Sequence, residues 1–130
     1  MEKVTKEEMA RRLVRLFPDK QAVLTEHYEE YGELLGHIFF AEEVNVPLVE
    51  LLTENAFPEK VACYCGFIEE MWRNGDAAVV NIVDVTILER LSDDETVWRR
   101  FGQHISEDFK EYINRELLKK NCMMWGITPL

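Results

Sequence analysis

His37, in the segment Gly36-His37-Ile38-Phe39-Phe40, is a residue type that carries protons near neutral pH. With Glu33 nearby it could act as a base, or as a buried switch. The plainer reading is a half-buried histidine held by structural hydrogen bonds. Spacing sets no second catalytic group beside it.

Metal chemistry can be tested in the same way. Carboxylate-bridged di-iron bundles use Glu-x-x-His pairs on facing helices. The residues three before His27, His37 and His104 are Leu24, Leu34 and Phe101, so the pattern is absent. His-Glu-x-x-His and Cys-x-x-Cys are absent too. On a helix, Cys63 and Cys65 would point about 200° apart, which is poor for chelation. Glu42-Glu43 and Glu69-Glu70 diverge by about 100°, whereas glycosidase carboxylates converge across a cleft. No glycine-rich loop is present to cradle a phosphate. The sequence therefore predicts no catalytic residue, no metal ligand and no cofactor.

Charge is the stronger signal. From Gln21 to Glu59 there is no Lys or Arg, and there are nine acidic residues. This block carries -9 of a net charge of -10. A field of that sign attracts basic partners and repels nucleic acid and anionic membrane. Arg99-Arg100 and Lys119-Lys120 are too small as basic clusters to support nucleic-acid binding. The sequence thus predicts a binding face for a basic protein at Glu26, Glu29, Glu30, Glu33, Glu42, Glu43, Glu50 and Glu54. Tyr28 or Tyr31 would add anchoring area if exposed. The plainer reading is an ordinary solvated helix surface.

These residues must be positioned by one domain of 130 residues, with 47% apolar content. A chain of that size buries roughly two thirds of its unfolded surface and folds without staples. Three cysteines and an amino terminus without an apolar core suggest a cytoplasmic protein. The apolar runs are too short to span a bilayer.

Periodicity predicts an all-α fold, a compact stack of about six or seven antiparallel helices. Thr5-Lys6-Glu7-Glu8 reads as a capping box, with Met9, Leu13, Leu16 and Phe17 following at helical spacing. A second helix is expected over 19–34, burying Leu24, Tyr28, Tyr31 and Leu35, with Glu26, Glu29, Glu30 and Glu33 nearly opposite. Gly32 and Gly36 suggest a bend, and a third helix covers 34–43. Asn45-Val46-Pro47 reads as a turn into a helix over 47–55. Pro58 opens a helix over 58–74, with Gly75 in the left-handed position past its end.

Asp76 caps the next segment, 77–91. Its β-branched residues favour a strand, but Val80, Val83, Ile87 and Leu91 fit helical spacing, which predicts a helix. Ser92-Asp93-Asp94-Glu95 suggests a second capping box for a helix to about 103. Ser106 caps a last helix over 107–120, with Phe109, Tyr112, Ile113 and Leu117 inward. The apolar tail, 121–130, is expected to fold back through Met124, Trp125 and Ile127.

Phe17-Pro18-Asp19-Lys20 and Phe57-Pro58-Glu59-Lys60 recur at an offset of forty. That spacing suits a helix-pair repeat. It also suits a common helix-start solution, a hydrophobic staple followed by a first-turn proline.

The segment Tyr31-Gly32-Glu33-Leu34-Leu35-Gly36-His37-Ile38-Phe39-Phe40, with Phe67-Ile68-Glu69-Glu70 and Asn74-Gly75-Asp76 downstream, resembles a family of small uncharacterised bacterial helical proteins. The likeness covers residues 10–118. It implies a stand-alone cytoplasmic helical domain, of the kind often found as immunity proteins beside secreted toxins. It carries over no catalytic residue. The expected function is a non-enzymatic protein-binding module with an acidic face, in its narrower form an immunity protein against a basic toxin. The alternatives are a self-associating scaffold using 77–91 and the tail, and a small enzyme using His37. The sequence leaves the oligomeric state open.

Overall fold

Thr5 turns the chain into its first helix, its hydroxyl accepting the Glu8 amide at 3.2 Å. The structure, a computed structural model, describes residues 2–117. Helix α1 (Lys6–Leu16) buries Met9, Ala10 and Leu13. A 3-10 turn, Pro18–Lys20, leads into α2 (Gln21–Tyr31), which Gly32 ends at φ 74°. That left-handed backbone is cheap for glycine and donates a closing hydrogen bond to Tyr28.

Helix α3 (Gly36–Phe40) runs through a π-helical turn, Ala41–Asn45, into α4 (Val46–Glu54). Asn55 closes α4 in the left-handed region. Helix α5 (Pro58–Asn74) buries Val61, Tyr64, Cys65, Phe67, Ile68 and Met71. Helix α6 (Ala77–Ile82) passes through a second π-helical turn, Val83–Ile87, into α7 (Leu88–Leu91). Helices α8 (Glu95–Gly102) and α9 (Glu107–Tyr112) follow, and α9 continues into a third π-helical turn, Ile113–Leu117.

The fold is all-α, as the periodicity predicts. Among the described residues the sheet-like pairing is one parallel bridge between Val4 and Gly75. It ties the chain's start to the end of α5: Val4 donates to Asn74 at 2.8 Å and accepts from Asp76 at 2.9 Å.

One continuous core runs through the stack. Trp98, Phe39, Phe40, Phe101 and Phe109 are fully buried within it. Burying each such side chain stabilises the fold by about 1.5–3 kcal/mol. Their rings chain together, with Phe39 5.3 Å from Phe40, Phe40 6.2 Å from Phe67, and Trp98 5.6 Å from Phe101. Trp72 stacks on Phe109 at 4.7 Å, joining α5 to α9.

Several expectations change. The turn expected at Asn45-Val46-Pro47 does not form. Pro47 lacks an N–H, but the preceding turn is already widened, with Val46 donating to Ala41 five residues back. The helix therefore passes through the proline instead of stopping. Segment 77–91 is helical, and the β-branched run Val83, Val85, Thr86 and Ile87 lies in its widened turn. Gly75 is not left-handed: its φ is -71° and ψ 152°. It is glycine for space, because a Cβ would strike the Val79 side chain and the Met71 carbonyl.

Asp94, not Ser92, caps α8 by accepting from Val97 at 3.0 Å, while Ser92 donates to the Glu89 carbonyl. The two Phe-Pro segments are not equivalent. Phe17 is half-buried and stacked on Tyr64 at 4.4 Å, whereas Phe57 is left-handed (φ 50°) and 67% exposed. Phe57 therefore forms no staple. The expected tail packing at 121–130, the helical end 118–120 and the inward Leu117 side chain lie outside the described residues.

Candidate functional site

The acidic residues follow from the helix boundaries. Glu26, Glu29 and Glu30 project from α2 away from its buried residues, Leu24 and His27. Glu33 lies in the non-helical link after Gly32, Glu42 in the first π-helical turn, and Glu50 and Glu54 on α4. All seven are exposed, and none forms an ion pair with a described residue.

Glu43 differs. Its carboxylate meets Lys20 at 3.2 Å, and both side chains are mostly buried, at 16% and 11% exposure. The Lys20 ammonium also sits 5.6 Å from the ring centres of Phe17 and Tyr64. Burial opposes its charge, but hydrogen bonding and charge from Tyr64 and Glu43 outweigh that and raise the ammonium's pKa. Burial raises the Tyr64 phenol, against Lys20's opposite pull. Glu43 is thus bound within the fold and leaves the free acidic set.

Tyr28 and Tyr31 are accessible, at 37% and 41%, which corrects their expected inward placement. His27 takes the inward position, 7% exposed. Its Nε2 accepts the Leu35 amide at 3.0 Å, and its ring lies 4.7 Å from Tyr31 and 5.5 Å from Phe39. In the sequence, His27 stands out only as a potential metal ligand. Its value here depends on where Leu35 folds, which helical spacing does not reveal.

His37 is itself exposed, but its Nδ1 lies 2.6 Å from the hydroxyl of buried Thr86. Glu33 makes no hydrogen bond to it among the described residues. The base-and-carboxylate pair suggested by the sequence is not assembled in this arrangement. Thr86 was not identified from the sequence. It lies forty-nine residues from His37 and is brought there by α6 and α7.

Cys63 is exposed and Cys65 buried, as opposite helical faces require. Burial, then the charge of Glu69, pushes the Cys65 thiol up to about 12, well above the reactive range. No group of three or more His, Cys, Asp or Glu residues able to hold a metal occurs among the described residues. No helix among them is long and apolar enough to cross a membrane. Of the apolar residues of 77–91 that self-association would use, Val79, Ile82, Val83, Ile87, Leu88 and Leu91 are buried in the core, Val80 is half-buried, and Ala77, Ala78 and Val85 are exposed.

The basic side chains are largely committed. Glu8 gathers Arg11, Arg12 and Arg15, at 2.9, 3.3 and 2.7 Å. Glu69 holds Arg73 at 3.0 Å and accepts the Ser106 amide at 2.9 Å. Burial works against the Glu69 carboxylate, but the Ser106 and Arg73 hydrogen bonds prevail and lower its pKa. Arg99 meets Glu95, and Arg115 meets Glu111. Arg100 donates to the Leu52 and Thr53 carbonyls, pinning α8 to α4. Pairing therefore neutralises much of the basic surface, while Glu26, Glu29, Glu30, Glu33, Glu42, Glu50 and Glu54 form no ion pair with a described residue.

No curated protein and no solved structure matches the chain. A family model described as a domain of unknown function, DUF7674, matches residues 10–120. The match spans α2 through α9, and the chain belongs to that family.

Proposed function

We propose that the chain is a non-enzymatic protein-binding module whose acidic face engages a basic partner. One observation carries this reading: Glu26, Glu29, Glu30, Glu33, Glu42, Glu50 and Glu54 are exposed and without ion pairs to described residues, while many cations elsewhere are paired. Unpaired surface carboxylates set a field that steers a basic partner and rewards complementary contacts. Tyr28 and Tyr31 supply amphipathic contact area beside Glu29 and Glu30. In its narrower form the partner is a basic toxin and the chain its immunity protein, the glutamates occupying sites that phosphates would take.

The test is affinity capture from native lysate, washed in low and then high salt, with identification of the eluate. The captured protein's affinity is then measured for the chain and for a Glu29→Lys, Glu30→Lys, Glu33→Lys variant. A basic protein released by salt, with binding abolished in a variant of unchanged helicity, supports the proposal. Unchanged affinity in the variant overturns the acidic-face mechanism. Cleavage or damage of a cellular target by the partner, blocked by the chain, would support the immunity form.

A further inference from the structure

Among the described residues, two of three π-helical turns pack together. Asn45, in Ala41–Asn45, donates from Nδ2 to the carbonyl of Ile87, in Val83–Ile87, at 3.0 Å. π-Turns are uncommon and recur at functional sites. Asn45 is 3% exposed, and its Oδ1 has no hydrogen-bond partner among the described residues. Donation to Ile87 fixes the amide's orientation, so the orphan atom can only accept.

A pocket of about 330 Å³ is lined by Asn45, Val46, Val49, Glu50, Arg90 and Asp93. Its walls are aliphatic and its rim is charged. Glu50, Arg90 and Asp93 are exposed and form no ion pair with a described residue, leaving the rim at net -1. Val46 is 52% exposed. A shallow, open site with apolar walls and two carboxylates on its rim, next to a buried unsatisfied acceptor, suits a ligand with a greasy stem and several donors.

We infer that this pocket receives an arginine side chain projected by the basic partner, a deepening that rests on the acidic-face reading. The methylene stem lies along Val46 and Val49. The guanidinium is planar with five donors, so one group can serve both Glu50 or Asp93 and an acceptor below. A lysine ammonium is a more strongly hydrated point charge and matches the apolar walls less well. Oδ1 is itself buried, so engaging it requires local rearrangement around Asn45. Arg90 opposes a bare cation and gives the site a selectivity for an arginine that stands beside an acidic residue in the partner.

The experiment uses the full chain and N-acetyl-arginine-amide, which carries only the side-chain charge. Backbone and side-chain NMR shifts are followed into the millimolar range, with sodium chloride at matched ionic strength as control. Saturable shifts at Val46, Val49, Glu50 and the Asn45 side-chain amide are expected. Glu50→Gln and Asp93→Asn should each weaken binding by roughly fivefold, the size of a partly screened ion pair. Arg90→Ala should strengthen it.

Shifts confined to Glu26, Glu29, Glu30 and Glu33 would overturn the pocket assignment while leaving the acidic face standing. Shifts no larger than those from salt would overturn the pocket and remove support from the face as well. Equal binding of N-acetyl-lysine-amide would overturn the assignment to arginine.

Discussion

His27 Nε2 accepts the backbone N–H of Leu35 at 3.0 Å, across the Gly32–Leu35 break between α2 and α3. Leu35 is extended and makes no side-chain cap for α3, so the imidazole satisfies a donor that the helix cannot. The accepting nitrogen must be unprotonated, which places the ring proton on Nδ1.

His27→Phe tests that bond. Phenylalanine keeps the ring contacts with Tyr31 and Phe39 but leaves the Leu35 amide without its acceptor. A destabilisation of about 1–3 kcal/mol is expected, read as a lower urea midpoint at unchanged slope. Gln at the same position retains an acceptor and should recover part of the loss. A Phe variant as stable as the parent would show that water replaces His27 at no cost.

Two glycines give a matched pair of opposite sign. A Cβ at Gly75 would collide with Val79 and the Met71 carbonyl, although φ is -71° and imposes no backbone penalty. Gly75→Ala should therefore destabilise through overpacking by about 1–3 kcal/mol. Gly66 lies inside α5 with open space around it. Gly66→Ala should stabilise by about 0.5–1 kcal/mol through helix propensity. Thermal unfolding of both variants beside the parent decides the matter. Equal effects would mean that space is not what selects glycine at 75.

These positions show what the sequence could and could not disclose. Thr5, Asp76 and Ser106 cap helices as read, because a cap depends on the next three residues alone, although the Glu8 carboxylate turns to Arg11, Arg12 and Arg15 instead of completing a capping box with Thr5. Helix α5 has the expected bounds because Pro58 and the end at Asn74-Gly75 are local signals. The opposed Cys63 and Cys65 follow from helical rotation.

The π-helical turns were not legible. The first is held by Asn45 reaching Ile87, forty-two residues away, and no local pattern encodes that reach. His27 was missed as a core residue for the same reason, and Gly75 was assigned the wrong role because steric exclusion by Val79 is tertiary. Of the acidic set, Glu43 could not be separated from its neighbours by charge counting. Only the approach of Lys20 removes it.

Glu8 makes a pH-dependent contribution whose sign is fixed. Hydrogen bonds from Arg15, then Arg11 and Arg12, lower its carboxyl from 4.5 to about 2. A depressed carboxylate stabilises the fold above its unfolded value, and that stability is lost as pH falls from 4.5 through about 2. The parent should exceed Glu8→Gln in urea midpoint at neutral pH, with the gap closing over that interval. The side chain is 30% exposed, so added salt should also narrow the gap. A gap that persists below about pH 2 would mean that Glu8 acts through packing instead of charge.

Cys65 is fully buried and its thiol is pushed up to about 12, first by burial and then by Glu69. At pH 8 its thiolate fraction is therefore only about 10⁻⁴. Cys63, two residues away, faces solvent. In a Cys122→Ser chain, a thiol reagent should modify one residue in the native state, and peptide mapping should identify it as Cys63. The second thiol should become reactive only with unfolding, at the rate or population of the open state. Cys65→Ala, which leaves a small cavity, should lower stability without changing the native labelling, whereas Cys63→Ser should abolish that labelling. Two thiols reacting at similar native rates would show that α5 opens locally around Tyr64 and Cys65, and the Lys20–Glu43 pair packed against that helix would then have to open with it.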